Sequence, residues 1–314
     1  MAAPRSTHRR TPPSPRRAAP RRKAAHRGGA SAAPATAPSS ASAKLGGAPL
    51  PAALAARVAR LAIRDAGHGF DPFGLNAAWV AWALVVFGPL YERYFRVLSH
   101  GAANIPASGP VILAANHSGT LPFDGLMLWL DVVRHSEPPR VPRAVADLFV
   151  PGLPFVGNAF SRWGVVGGSR GNVRDLLESG ECLMIFPEGT VGIGKPFSQR
   201  YKLQQWRVGH AELAIRHGAV VVPVGIVGAE EQMPQLARLP VRAFGAPYLP
   251  IPATLFPLPV RYHIHYGEPI PIGRDYKAAQ ADDPAVVRQA ANRVKAAVAS
   301  LLRKGLAERK GIFT

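Results

Sequence analysis

A single cysteine, Cys182, in 314 residues leaves the chain without an intramolecular disulfide framework and without an all-cysteine zinc cage. A reducing, cytoplasm-facing setting is compatible with that. No apolar run reaches the roughly 20 residues a spanning helix needs. The longest, residues 77–91 (AAWVAWALVVFGPLY), stops at fifteen. Acidic residues are also scarce, 19 against 38 Lys and Arg, which gives a formal net charge of +19. Residues 1–47 contain no acidic residue and ten basic ones, which leaves 28 basic and 19 acidic residues, or +9, for the other 267.

That leader lacks the continuous apolar core of about 7–15 residues that a secretory signal requires. It is built of Ala, Pro, Ser, Gly and Arg. With almost nothing large and apolar to bury, it is expected to be a disordered basic tail that grazes anionic surfaces. Its prolines argue against the amphipathic helix of a transit peptide. The charge invites a nucleic-acid reading, but no basic segment of the remainder interleaves aromatics as a stacking platform does. No nucleic-acid partner is expected.

What is present begins near Leu50. In PAALAARVARLAIRDAG, Leu54, Val58 and Leu61 recur at helical spacing beside a stripe of Arg57, Arg60 and Arg64. Such a helix either lies in a bilayer interface, cations toward lipid phosphates, or packs as a surface helix on a soluble core. The 77–91 run follows, with Trp79 and Trp82 inside it and Arg93 and Arg96 beyond, residue types that anchor at interfaces. It reads as a monotopic or re-entrant anchor, with a buried core helix as the alternative. Residues 48–99 are therefore set apart as a membrane-associating helical segment, and 100–314 as the main domain.

From residue 100 the pattern is α/β. PVILAAN (110–116), ECLMIFPEG (181–189) and GAVVVPVGIVG (218–228) read as buried strands, with a shorter one at GVV (164–166) and a late one in PVRYHIHYGEPI. NVRDLLESG and RVGHAELAIRHG read as helices ending at Gly180 and Gly218, and a final helix runs from about Pro284 to Gly305. The alternation predicts a mostly parallel central sheet flanked by helices, with polar residues at strand ends building the site.

Three strand ends bear such residues. After the first, NHSGTLPFDG places His117 ahead of Asp124, and a carboxylate that holds an imidazole in one tautomer equips it to take a proton from a hydroxyl. In the second, Gly167-Gly168-Ser169-Arg170-Gly171 precedes a helix, so backbone N–H groups and the Arg170 guanidinium can meet a phosphate. The same residues match G-x-S-x-G, which keeps a serine esterase or lipase using Ser169 in play. In the third, MIFPEGT delivers Glu188 to a strand end, and Lys195, Arg200, Lys202 and Arg207 follow as a cluster able to hold phosphates. His263 and His265 share one face of a strand, but no third ligand is apparent, so no metal is expected.

In order along the chain, NHSGTLPFD (116–124), GNAFSRWGVVGGSR (157–170), FPEGT (186–190) and VVVPVGI (220–226) resemble the four blocks of the glycerolipid acyltransferase family, the lysophosphatidic acid acyltransferase-like enzymes. The resemblance spans about residues 95–270. It implies that His117 is the general base and Asp124 its orienting partner. It implies an acceptor site drawn from Asn116, Gly157, Arg170, Phe186, Pro187, Glu188, Gly189 and Thr190, with Pro223 shaping it and Lys195, Arg200 and Lys202 near the phosphate. It further implies an acyl-CoA or acyl-carrier-protein co-substrate, no bound cofactor, a lysophospholipid or glycerol-phosphate-type acceptor, and work on membrane lipids at the cytoplasmic face. A non-catalytic lipid-binding protein on the same scaffold is the remaining alternative. Two departures stand out. Six residues separate His117 from Asp124 where the family has four, so either the extra pair loops out around Pro122 or Asp124 falls short of the imidazole. Val191 stands where many members place a cation after EGT.

Overall fold

The computed structural model describes residues 44–45, 48–118, 121–147, 150, 155–239, 241 and 248–314. All of them fall within one compact unit, Ala35–Thr314. The disordered tail expected over 1–47 lies outside the described residues apart from 44–45.

Seven strands form the central sheet: β1 (Leu98–His100), β2 (Val111–Ala115), β3 (Arg143–Ala146), β4 (Val166–Gly167), β5 (Cys182–Ile185), β6 (Val220–Val227) and β7 (His263–Tyr266). Their order is β1-β7-β6-β2-β5-β3-β4. Only the β7–β6 pairing is antiparallel, and every other neighbouring pair is parallel. The sheet is buried on both faces, and the alternation of side chains along its strands divides the core in two. Val111, Leu113 and Ala115 of β2 enter one cluster, while Ile112 and Ala114 enter the other. Helices α1 (Ala52–Ala59), α2 (Ala77–Val86) and α3 (Phe123–His135) cover the first face. On the second lie α5 (Arg170–Glu178), α7 (Gly209–His217) and α10 (Pro284–Glu308). The short helices α4 (Val156–Arg162), α6 (Thr190–Ile193), α8 (Ala229–Gln232) and α9 (Ile272–Asp275) fill the connections.

Most predicted elements appear within a residue or two of their expected ends. Helix α7 stops at Gly218, whose φ of 67° is the left-handed conformation that ends helices. Pro223 lies inside β6, where a proline is normally excluded. The antiparallel register with β7 ends at Val224, so the missing N–H falls just past that ladder.

The N-terminal segment departs from its sequence reading. Residues 77–91 do not form one apolar helix: α2 ends at Val86, and Leu90–Tyr94 continue as a π-helical turn. Five α2 residues, Ala77, Val80, Ala81, Ala83 and Leu84, are buried in the core shared with the sheet. Trp82 stacks on Trp163 at 5.7 Å, and Trp79 tilts against both. The arginine stripe of α1 also turns to protein. Arg57 donates to the Val133 and Ser136 carbonyls, and Arg60 pairs with Glu137 at 3.0 Å. Residues 50–95 thus belong to the same packed unit as the sheet. Among the described residues no helix is long and apolar enough to cross a membrane.

Candidate active site

Strands β2 and β5 run parallel in register, Ala114 opposite Ile185, so their carboxyl ends open at the same level. The residues that follow each, Asn116-His117 and Phe186-Pro187-Glu188, are therefore brought side by side. Asn116 is fully buried and mimics one more ladder residue: its Oδ1 accepts from Ile226 N at 2.7 Å and its Nδ2 donates to Ile226 O at 3.0 Å. That bracket sets the direction in which His117 leaves the sheet.

The His117 ring stacks on Phe186 with centroids 4.2 Å apart. Nδ1 lies 2.7 Å from Asp124 Oδ2. Asp124, in the first turn of α3 and wholly buried, also accepts from Ser118 N at 2.8 Å and from Gly125 N at 2.7 Å. The longer spacing is thus absorbed by the loop before α3, and the dyad forms. With Nδ1–H donated to the carboxylate, Nε2 is left as the basic nitrogen. Among the described residues it has no hydrogen-bond partner, and 11% of the side chain reaches solvent. An imidazole fixed on one side and open on the other is the arrangement a general base requires.

Glu188 is placed differently from a substrate-facing carboxylate. It is 1% exposed; Oε1 accepts from His117 N at 3.3 Å and Oε2 from Gln204 N at 2.7 Å. It fastens the β2 end to the segment after β5 and so positions His117. Lys195 is a correction of the same kind. Its side chain is 2% exposed, and Nζ pairs with Glu230 at 2.9 Å rather than projecting toward a phosphate. Burial raises the Glu230 carboxyl to about 7 against the pull of Lys195.

Arg170 opens α5 after β4, three strand spacings from β2, or about 14 Å. Its guanidinium is 84% exposed and meets Glu212 at 3.1 Å, so it does not converge on His117. Gly157 lines a separate cavity of 160 Å³ with Phe160, Val166 and Asn172. Arg200 and Lys202 are exposed, and Arg200 packs over the Phe197 ring. Thr190 begins α6, and its carbonyl accepts from Tyr248 Oη at 2.6 Å.

Two further residues belong to this site. Arg207 was one of a run of cations in the sequence, and only folding lays it on the FPEG turn. A Cβ at Gly189 would come within 3.1 Å of its guanidinium, and Arg207 N donates to Pro187 O at 2.9 Å. Beneath it His210, held neutral with a pKa lowered to about 4 by burial, donates Nδ1–H to the Arg207 carbonyl at 3.0 Å. Gly192 is the second. A Cβ there would fall 2.7 Å from the His117 carbonyl oxygen and 2.8 Å from Glu188 Cβ. Gly192→Ala is expected to push His117 off its position and lower kcat by about 100-fold, with an unchanged circular dichroism spectrum.

Ser169 is not a nucleophile elbow. Its backbone, φ −75° and ψ 146°, is unstrained, and Oγ accepts from Asn172 N at 3.1 Å as the N-cap of α5. No histidine is hydrogen-bonded to it among the described residues. Ser169→Ala is expected to cost about 1 kcal/mol of stability and leave most activity in place, as a melt and a turnover assay would show.

The Acyltransferase family model matches residues 96–227. That span contains both members of the dyad, the FPEG turn and β2 through β6. Uncharacterized proteins of Mycobacterium tuberculosis and Mycobacterium leprae are each 40% identical to the chain over 78% of its length, covering 70% and 68% of their own. The chain belongs to the acyltransferase family. A bovine protein, the DGAT1/2-independent enzyme synthesizing storage lipids, is 26% identical over 65% of this chain and 58% of its own length. The fold of this acyltransferase is also that of the 1-acyl-sn-glycerophosphate acyltransferase PlsC of Thermotoga maritima. The TM-score is 0.51 at 18% identity, over 74% of this chain and 83% of that one.

Proposed function

We propose that the protein moves a fatty acyl group from a thioester donor, acyl-CoA or acyl-carrier protein, to a hydroxyl of a lysophospholipid or glycerol-phosphate-type acceptor at a membrane surface. The observation behind this reading is the His117–Asp124 pair at 2.7 Å with Nε2 left open. Nε2 takes the acceptor hydroxyl proton as that oxygen attacks the thioester carbonyl. The tetrahedral intermediate then collapses, expelling the thiolate, which recovers the proton from the imidazolium. Asp124 stabilises the charged ring throughout and stays ionised.

Arg207 supports an anionic acceptor. Its pair with Asp147, at 3.1 Å, leaves the guanidinium 64% exposed, and an exposed pair of about 0.2–1 kcal/mol is readily exchanged for a phosphate. Arg207→Ala is expected to raise KM for a phosphorylated acceptor about tenfold or more with little change in kcat. Membrane contact is supported by the strands Gln235–Leu239 and Leu249–Pro252, which pair outside the main sheet and expose Leu236, Leu239 and Leu249. Neighbouring Tyr248 ties them to Thr190.

The test is to incubate the purified protein with labelled acyl-CoA or acyl-carrier protein and a panel of lysophospholipids, glycerol 3-phosphate and diacylglycerol. Transfer to a phosphorylated acceptor, lost in His117→Ala, is expected. Transfer only to diacylglycerol would place the protein with its storage-lipid relative, and acceptor binding without transfer would leave a lipid-binding protein.

A further inference from the structure

Away from the dyad, three histidines come together at one edge of the sheet, on β1 and β7. His263 and His265 lie on β7, and Ile264 and Tyr266 between and beyond them enter the α1–α3 core. The two imidazoles consequently project from the opposite face, toward α10. The parallel register with β1 sets His100 directly across from His265. Its ring stacks 4.3 Å from His265 and 5.6 Å from His263.

Their polar atoms lack partners. His100 Nε2, His263 Nε2 and His265 Nε2 are each enclosed and without a hydrogen bond. One nitrogen from each ring lies within 4.8 Å of the other two. An enclosed imidazole nitrogen without a partner destabilises the fold, and such groups in native proteins ordinarily have an occupant that satisfies them. Three at one point have a shared solution in a cation. We propose that His100, His263 and His265 form a binding site for one divalent first-row metal ion of the zinc class, separate from the acyl-transfer site and independent of it.

The donor set suits such an ion. Neutral imidazole favours zinc, nickel and copper over calcium or magnesium. Burial, His100 and the nearby Arg261 and Arg309 lower the His263 pKa. Burial, His100, His263 and Lys304 lower that of His265 to about 4. Glu308 contributes a negative charge that opposes the shift at His263. A tetrahedral centre with bonds of about 2.0–2.1 Å needs nitrogens about 3.4 Å apart, so the three nearly parallel rings must turn on binding for their lone pairs to converge. The approach of α10 is already adapted: a Cβ at Gly305 would lie 2.7 Å from His265 Nε2. A bound ion would clasp edge strand β1 to β7 beneath α10.

The full-length protein, stripped with a chelator and dialysed, is titrated with Zn²⁺ by calorimetry and with Co²⁺ by visible absorption. One equivalent is expected, with the d–d bands of tetrahedral nitrogen-ligated Co²⁺ and a rise in melting temperature on adding Zn²⁺. His100→Gln and His265→Gln are each expected to weaken binding by at least about tenfold and to abolish the rise. His100 is half-buried, so its variant keeps the test valid if the His265 variant fails to fold. A control with His8→Gln and His26→Gln, which removes the leader imidazoles, is expected to bind as the parent does. The proposal is overturned by absence of stoichiometric binding, by undiminished affinity in His100→Gln, or by loss of binding in the leader control.

Discussion

His117→Ala is expected to lower kcat/KM for acyl transfer by about 10²–10⁴-fold while leaving the fold intact. Among the described residues the imidazole is the only group at the meeting of the β2 and β5 ends with an open basic nitrogen, so none of them replaces it. Glu188 is consumed by the backbone N–H groups of His117 and Gln204, and Asp124 by His117, Ser118 and Gly125. Asp124→Asn is a sharper companion, because it keeps the shape and removes the charge. An amide that presents its NH₂ to Nδ1 turns the ring to the tautomer with Nε2 protonated, which cannot accept a proton. Its loss should approach that of His117→Ala in kcat with little change in KM. Steady-state kinetics over a range of donor and acceptor concentrations separates the two effects. Near-parental turnover in His117→Ala would remove the dyad from the mechanism.

Asp131→Ala should cost about 3–5 kcal/mol of stability, read as a lowered urea midpoint. This carboxylate, wholly buried on α3, accepts from three hydroxyls: Tyr91 at 2.6 Å, Tyr266 at 2.7 Å and Ser99 at 2.9 Å. Burial, followed by the neighbouring Asp131 charge, pushes both tyrosine pKa values up, so the phenols remain donors at any working pH. Removing the acceptor takes a partner from three hydroxyls at once, leaving the buried Tyr266 Oη stranded and Tyr91 Oη with only His135 Nε2 at 3.2 Å, which is why the loss exceeds that of one hydrogen bond. Tyr91 and Ser99 both belong to the segment that the sequence sets apart as membrane-associating, whereas Asp131 and Tyr266 belong to α3 and β7. The variant therefore also tests whether residues 50–95 are integral to the domain. Their release should appear as new proteolytic cleavage there before global unfolding. Asp131→Asn, which retains an acceptor, should cost less.

The His117–Asp124 pair, the FPEG turn and the core strands were legible because each depends on short-range pattern. Short apolar runs of about four to eight residues bounded by Gly or Pro read as buried strands, and a polar residue just past one lies at a sheet end. The four motifs resembling an acyltransferase were readable for that reason, as was Ser169 before a helix. What remained hidden turned on distance in space. A three-residue strand such as Leu98–His100 has no periodicity to read, so His100 was invisible as the partner of His263 and His265. The burial of Lys195 was equally hidden, since a lysine in a cationic cluster looks the same whether it meets solvent or Glu230. Residues 77–91 have the composition of a bilayer helix, and only the presence of α3 and the sheet beside α2 makes that apolar surface part of a protein core.

The scarcity of cysteine, of long apolar runs and of acidic side chains determined by itself that this is a thiol-poor chain with a surplus of cations and without an apolar run of the roughly 20 residues a spanning helix needs. Tertiary structure alone decided where those cations go. Arg57 and Arg60 are spent on α3 and the loop after it, Lys195 on a buried carboxylate, and Arg207 remains exposed beside Gly189. Charge is a property of composition, but its availability depends on which partners the fold brings within hydrogen-bonding reach.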